Sequence, residues 1–199
     1  ASAVAEAAIE SGVATKTINT ISEYTNKLEN SAYKSSFLMR PVFEAARSAS
    51  RKIVFSEGED ERVLRASFSM IEETGDSPIL IGRPDVVMSR IEKYGLPLKI
   101  NKDFELVNPE SDPRFREYWE TYHKIMERRG VTPALAKAIM RTNSTAIAAI
   151  MVFRKEADSM ICGTFGQYLW HLKYIKEVLE NSELNAIGAL SLMILENGP

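Results

Sequence analysis

The stretch Arg51–Ser67, RKIVFSEGEDERVLRAS, constrains this chain more than any other. It sets a short apolar run, an acidic glycine turn and an amphipathic segment one after another. Ile53, Val54 and Phe55 are continuously apolar, as in a strand covered on both faces. Gly58 relieves the turn. Glu59, Asp60 and Glu61 crowd a first helical turn, where negative charge complements the helix dipole. Val63, Leu64, Ser67, Phe68, Met70 and Ile71 follow at helical spacing, and Gly75 marks the stop. This is the first unit of an α/β domain, and its turn sits where such domains place a ligand. The acidic triplet has two readings. Helix-start chemistry is preferred over a loop facing a cleft. A nucleotide phosphate cradle is excluded, because there is no GxGxxG and no Walker lysine, and the acids repel phosphate.

The alternation continues downstream. Pro78–Ile81 (PILI) reads as a second buried strand. Gly82–Arg83–Pro84 turns into a helix that ends at Gly95. Leu98–Ile100 and Phe104–Val107 read as short strands. Asp112–Pro113 predicts a helix start, an N-cap followed by proline. The helix after it carries Phe115, Tyr118, Trp119, Tyr122, Ile125 and Met126 on one face, a stripe suited to a core or a subunit interface. Thr132–Pro133 starts another helix, and Asn143–Phe153 is a helix of smaller residues. Ser159–Cys162 reads as a buried strand, Phe165–Leu179 as a helix and Ala186–Leu195 as a last strand. Alternating strands and helices imply a mainly parallel sheet with helices on both faces.

Ahead of this, Ala1–Ser11 reads as a helix stopped at Gly12, and Gly12–Thr20 as a connector. Ile21–Met39 reads as a helix or helix pair, and Pro41 as the start of a fresh helical turn through Ser50. The opening helix begins in mid-pattern and is expected to continue an upstream body. The apolar segment Ala186–Leu195, followed by Glu196–Pro199, is expected to be the edge of a domain cut short.

Bulk properties narrow the function classes. A net charge of −2 with scattered basic residues argues against an electrostatic nucleic-acid binder. The single cysteine, Cys162, excludes an internal disulfide and fits a reducing compartment. No apolar run reaches the length of a membrane span, and Glu6 and Glu10 interrupt the alanine-rich start as no signal peptide would allow. A cytoplasmic protein is the expectation, with neither nucleic acid nor membrane as partner.

Several residues are candidates for chemistry. Arg128 and Arg129, before Gly130, either offset the negative end of a helix dipole, the preferred reading, or hold a phosphate or an acidic cofactor tail. Arg141–Thr145 is a polar junction whose expected role is capping, with anion binding as the lesser option. ADSMICGT (Ala157–Thr164) is a strand followed by a tight turn, and ligands of open α/β sheets sit beyond the carboxyl ends of strands. Gly163, Thr164 and Gly166 therefore form a ligand-facing corner. Cys162 reads as structural, with no histidine as an obvious partner. His123 and His171 have no ligand at metal-site spacing, so no metal site is expected.

Four stretches in order carry a resemblance: RKIVFSEGEDERVLRAS, PILIGRP, FELVNPESDPRFREYW and ADSMICGT. Together they resemble a phosphate acetyltransferase domain, in the version fused to the C-terminus of bacterial NADP-dependent malic enzymes. The resemblance implies a three-layer αβα fold of the phosphotransacetylase type, akin to isocitrate and isopropylmalate dehydrogenases. It divides the chain into the tail of a nucleotide-binding domain with its exit linker (1–18), a helical linker (19–51) and a truncated acetyltransferase-like domain (52–199). It implies a parent that oxidatively decarboxylates malate to pyruvate with NADP and a divalent metal, Mg or Mn. The malic core would lie upstream, so this chain alone is expected to be inactive.

The chain departs from the family's active pattern, which continues past the glycine turn roughly as GAxHSTxDTxRPA. Here Phe165 is followed by Gly166, Gln167 and Tyr168 where H, S and T fall. Trp170 and His171 stand for D and T, and Lys173 and Tyr174 for R and P. A tryptophan can neither accept a hydrogen bond nor take a proton as an aspartate does. No catalytic residue is therefore assigned. Arg128, Arg129, Gly163, Thr164 and Lys173 remain as cofactor-binding candidates. The expected function is a regulatory and oligomerisation domain sensing acetyl-CoA, joined to malic enzyme domains in a homo-oligomer. The alternatives are an active phosphate acetyltransferase and a purely structural module.

Overall fold

The computed structural model describes residues 2–14, 20, 34–180 and 188. The chain divides into two compact units, Ala1–Ala45 with Gly188–Pro199, and Ala46–Ile187. In the first, helix α1 (Ser2–Glu10) stops before Gly12, whose φ is 74°. Helix α2 (Lys34–Ala49) carries Pro41 inside it. The expected fresh start at Pro41 is thus replaced by one continuous helix. A proline removes a single backbone donor, and the turns on either side hold the helix across it. The expectations for residues 21–33 and for Ala186–Leu195, Gly188 apart, lie outside the described residues.

The second unit holds a parallel sheet. Its strands are β1 (Ile53–Phe55), β2 (Ile79–Ile81), β3 (Glu105–Val107) and β4 (Ser159–Ile161), in the order β3-β2-β1-β4. Val54 lies beside Ile79 and Met160, Phe55 beside Leu80 and Ile161, and Leu80 beside Leu106. Because side chains alternate along a strand, this register sorts the apolar residues onto two faces. Val54, Ile79, Ile81 and Val107 pack on one face against α5 (Phe115–Met126), α6 (Pro133–Thr142), α7 (Ser144–Phe153) and α8 (Tyr168–Leu179). Phe55 and Leu80 pack on the other against α3 (Glu61–Thr74) and α4 (Pro84–Tyr94). The architecture is three layers, αβα.

Local chemistry explains the helix ends. Asp60 caps α3 by accepting from the Arg62 N–H, and Gly75 closes that helix at φ 77°. Thr132 and Asn143 cap α6 and α7 through their side chains. The small residues of α7 let it lie at the centre of its layer, with Thr145 through Met151 all buried. The aromatic stripe of α5 is core: Tyr118, Tyr122 and Met126 are buried, and Phe115, Trp119 and Ile125 pack against the same cluster. Burying side chains of this size contributes about 1.5–3 kcal/mol each.

Four local expectations need correction. Helix α5 begins at Phe115, not at Pro113, behind a turn in which Asp112 accepts from the Arg114 N–H and guanidinium. Leu98–Ile100 is not a strand. It makes one bridge, Ile100 to Phe104, around a tight loop with Asn101 at φ 61°. Helix α8 begins at Tyr168 rather than Phe165, since Gly163–Gln167 is a turn. Strand β4 is not buried. Among the described residues it is an edge strand, and Ile161 is 47% exposed.

Candidate functional site

From β1 the sheet grows through β2 and β3 in one direction and through β4 in the other. The segments leaving the carboxyl ends of β1 and β4 therefore diverge, and such a switch point opens the crevice in which α/β proteins bind ligands. A cleft of about 450 Å³ lies there, with Glu57, Asp60, Gly82, Arg90, Arg141 and Ser144 among its walls.

The loop after β1 is pressed against the end of β2. A Cβ on Gly58 would stand 2.8 Å from the Ile81 carbonyl oxygen, and the Gly58 N–H donates to that same oxygen at 3.0 Å. Only glycine fits this approach. The close fit aims the preceding residue, Glu57, across the switch point, where its Oε2 accepts the Gly163 N–H at 3.1 Å. Glu57 thereby staples the β1 loop to the turn after β4. The Glu57 side chain is only 2% exposed, and its Oε1 has no hydrogen-bond partner among the described residues.

The acids beside Glu57 have separate duties. Glu59 grips Arg83 through two bonds of 2.9 Å, and that contact holds its carboxyl below the ordinary range. Asp60 is likewise lowered by its paired bonds to Arg62 at 3.0 Å. Arg62 also donates to the Thr164 carbonyl, and Arg90 to the Glu59 carbonyl. The triplet therefore combines helix-start chemistry at Asp60 with a cross-loop ion pair at Glu59.

His171 is the buried centre of the corner. Its Nε2 lies 2.7 Å from the Phe165 carbonyl oxygen and its Nδ1 lies 2.8 Å from Thr145 Oγ1. A carbonyl only accepts, so Nε2 carries the proton and, in the neutral ring, Nδ1 accepts from the Thr145 hydroxyl. Glu57 Oε1 is 3.8 Å from Nδ1. Gly166, at φ 87°, lets the turn close over the ring, since a Cβ there would meet Nε2 at 3.1 Å. Cys162 adjoins this cluster. Burial first, then the Glu57 charge, pushes its thiol up to about 11. At neutral pH it stays a thiol and is a poor nucleophile.

The structure brings Gly163, Thr164 and Gly166 together on the turn whose Phe165 lines the cleft, and it puts Arg141, Thr142 and Ser144 of the polar junction on the cleft wall itself. Three other candidates stand apart. Arg128 and Arg129 are exposed on a 3-10 turn, Glu127–Arg129, and do not line the cleft. Lys173 is exposed on α8, 3.9 Å from Glu177. Sequence reading set His171 aside as a metal ligand and passed over Thr145 as part of a cap. Nothing in their spacing, 26 positions apart, announces the contact. Asn143 is the residue that caps. Among the described residues no group of three or more His, Cys, Asp or Glu could hold a metal ion, and no helix is long and apolar enough to cross a membrane. With both nitrogens of His171 bonded internally, the corner presents no imidazole base to a ligand. It is built to hold a turn.

Comparison with known proteins matches this arrangement. A profile for phosphate acetyl/butaryl transferase matches residues 37–199. The chain is 46% identical over its whole length to the NAD-dependent malic enzyme of Rhizobium meliloti and 47% identical to the NADP-dependent malic enzyme of Escherichia coli. It spans about a quarter of each, 26%. The EutD phosphotransacetylase from Staphylococcus aureus shares the fold at a TM-score of 0.61 and 23% identity, over 71% of this chain and 43% of that one. The profile match and the full-length similarity place this chain in the phosphate acetyl/butaryl transferase family, in the form that malic enzymes carry.

Proposed function

We propose that this chain is the acetyl-CoA-sensing part of a malic enzyme, a regulatory and assembly domain that does not itself transfer acetyl groups. The supporting observation is the corner at the switch point. It keeps a cleft at the carboxyl ends of the strands, while its one buried histidine is bonded at both nitrogens and its cysteine is held as a thiol. Acetyl transfer to CoA needs a base that can reach the incoming thiol. Here the cleft serves binding. Gly163, Thr164 and Lys173 lie on the turn and helix that would meet the ligand, and Arg128 and Arg129 would serve only an extended tail of it.

The parent would oxidise malate with a nicotinamide dinucleotide and a divalent metal. The relatives are named for NAD in one case and NADP in the other, and NADP is the reading kept for this protein. Neither group fits the described residues, which offer no GxGxxG turn and no cluster of metal ligands. Those groups would belong to malic domains outside this chain, in the cytoplasm. Effector and substrate would then be linked reciprocally, each changing the other's affinity by one shared factor.

The test is a titration of the complete enzyme with acetyl-CoA, CoA and acetyl phosphate. Acetyl-CoA should bind and shift malate turnover, with no CoA-dependent consumption of acetyl phosphate. Absence of binding together with unchanged turnover would sink the proposal. Consumption of acetyl phosphate would favour the active acetyltransferase instead.

A homo-oligomer is a compatible second reading. Phe165, Tyr168 and Leu169 are 59%, 67% and 72% exposed and adjoin the edge strand. An apolar patch of this kind suits a protein interface. The aromatic face of α5 is core and is not available for that purpose.

A further inference from the structure

We propose that Arg90 and Arg141 form a phosphate-binding seat in the switch-point cleft. The inference rests on the reading that this cleft takes acetyl-CoA, and it names the part of the ligand that the cleft wall holds. A difference among the arginines carries it. Arg62, Arg65, Arg83, Arg114, Arg116 and Arg154 each meet a carboxylate at 3.0 Å or less. Arg90 and Arg141 pair with no carboxylate among the described residues, yet both line the same cleft of about 450 Å³. Arg128 and Arg129 also lack an acid partner among those residues, but they do not line the cleft.

The acids of the β1 loop repel phosphate when read along the sequence, but in the fold they are already matched. Glu59 closes on Arg83 and Asp60 on Arg62, each through paired bonds of 2.9 to 3.0 Å. Gly82 makes room for this, since a Cβ there would stand 2.9 Å from Glu59 Cγ. Arg90 acts on both acids only through space, as the last of the influences that lower their carboxyls. With those acids satisfied by other arginines, the charges of Arg90 and Arg141 are left in excess on the cleft wall.

Both guanidiniums keep donors open. A guanidinium carries five N–H donors in a planar fork that matches the oxygens of a phosphate. Arg90 gives one N–H to the Glu59 carbonyl. Arg141 lies over the Phe115 ring at 4.4 Å, and its acceptor among the described residues is the Glu110 carbonyl at 3.5 Å. Stacking on a ring fixes the plane and leaves the edge of the fork available. Ser144, the first residue of α7, adds a hydroxyl and the positive end of a helix dipole to the same cleft. Glu57 adds an acceptor, because its carboxylate is 2% exposed and Oε1 has no hydrogen-bond partner among the described residues. A phosphate ester that also carries N–H or O–H donors suits this set better than a bare dianion, and the phosphorylated pantetheine arm of CoA is such a group.

The test is calorimetric titration of the complete enzyme with three probes: acetyl-CoA, S-acetylpantetheine, which lacks every phosphate, and inorganic phosphate. Arg141→Gln removes an exposed charge that no ion pair within the described residues needs, so folding should be kept. Arg90→Gln is the second variant, checked by thermal unfolding because it also frees the Glu59 carbonyl. Each should weaken acetyl-CoA about tenfold, as the loss of a charge-assisted contact does, and leave S-acetylpantetheine unchanged. Arg116→Gln removes a charge from an exposed pair with Glu120 and should bind acetyl-CoA as the wild type does.

The probes also separate the two sources of a phosphate. Inorganic phosphate that binds the wild type but not Arg141→Gln, with acetyl-CoA unaffected, would support the seat and assign it to free phosphate. Wild-type affinity of both variants for acetyl-CoA and for inorganic phosphate would overturn the seat, as would an equal loss in Arg116→Gln. Absence of acetyl-CoA binding to the wild type would instead sink the effector reading, with the seat judged on inorganic phosphate alone.

Discussion

The two ends of the sheet are built on opposite plans. At the amino end, charges and polar groups join in one network. Lys52 pairs with Glu105 at 3.0 Å, and Arg114 reaches Glu105 and Asp112 at 3.0 Å and Glu156 at 3.4 Å. Arg154 holds Glu156 at 2.6 Å and also grips Glu117, while the Tyr118 hydroxyl donates to Glu156 at 2.7 Å. The Lys52 N–H donates to the Asp158 carboxylate and the Asp158 N–H donates to the Lys52 carbonyl, which locks the starts of β1 and β4 together. At the carboxyl end the loops diverge, a cleft opens, and Glu57 Oε1 and Thr164 Oγ1 are buried without hydrogen-bond partners among the described residues. The difference teaches where each end's free energy goes. Satisfied polar networks stabilise a fold, whereas groups left incomplete mark places that bind or switch.

The largest expected effect lies at the amino end. Tyr118→Ala empties a buried site and removes the donor to Glu156. It should cost about 3–5 kcal/mol in urea unfolding, as large aromatic truncations do, with ligand affinity unchanged in the molecules that remain folded. Retained stability would break the contrast.

A smaller effect follows with pH. Burial first, then Glu156, raises the Tyr118 hydroxyl above its ordinary value. A raised pKa contributes stability that is complete below the unfolded value and lost as pH rises through the folded one. Thermal unfolding should therefore turn alkali-sensitive above about pH 10, where free tyrosine ionises. Tyr118→Phe should reduce that sensitivity while lowering stability at neutral pH by about 1 kcal/mol. Wild-type alkaline sensitivity in the variant would contradict the role given to this hydroxyl. On the acid side the sign is reversed. The lowered carboxyls of Glu59 and Asp60 contribute above the ordinary carboxylate range, and that contribution fades as pH falls through it.

At the carboxyl end Glu57→Gln should change stability by no more than about 0.5 kcal/mol, or raise it, because a buried unpartnered oxygen is replaced by a neutral amide. A loss as large as that of Tyr118→Ala would mean that both ends serve stability. The smallest effect is kinetic. Cys162, with its thiol pushed up to about 11, should alkylate slowly with iodoacetamide at neutral pH and faster in Glu57→Gln. Rapid reaction in the wild type would contradict the account of the corner.

Much of the frame is legible in the sequence, because strands and helices announce themselves through short-range pattern. IVF, ILI and the caps at Thr132 and Asn143 need only neighbouring residues to be read. Asp112 misled because its side chain serves Arg114, part of a tertiary network. Ser159–Ile161 misled because composition records apolar character but not position in the sheet. The site was half legible. Gly163 and Thr164 follow from the general placement of ligands beyond strand ends. The Glu57–Gly163 staple spans 106 positions, and the Thr145–His171 bond depends on α7 and α8 packing side by side. No local pattern encodes either.

Hydrogen–deuterium exchange of the complete enzyme, with and without acetyl-CoA, tests the contrast between the two ends most directly. The account predicts slowed exchange in residues 56–60 and 162–173, with residues 105–118 and 154–158 unchanged. Protection confined to the amino-end segments, or none in this chain under saturating acetyl-CoA, would contradict it.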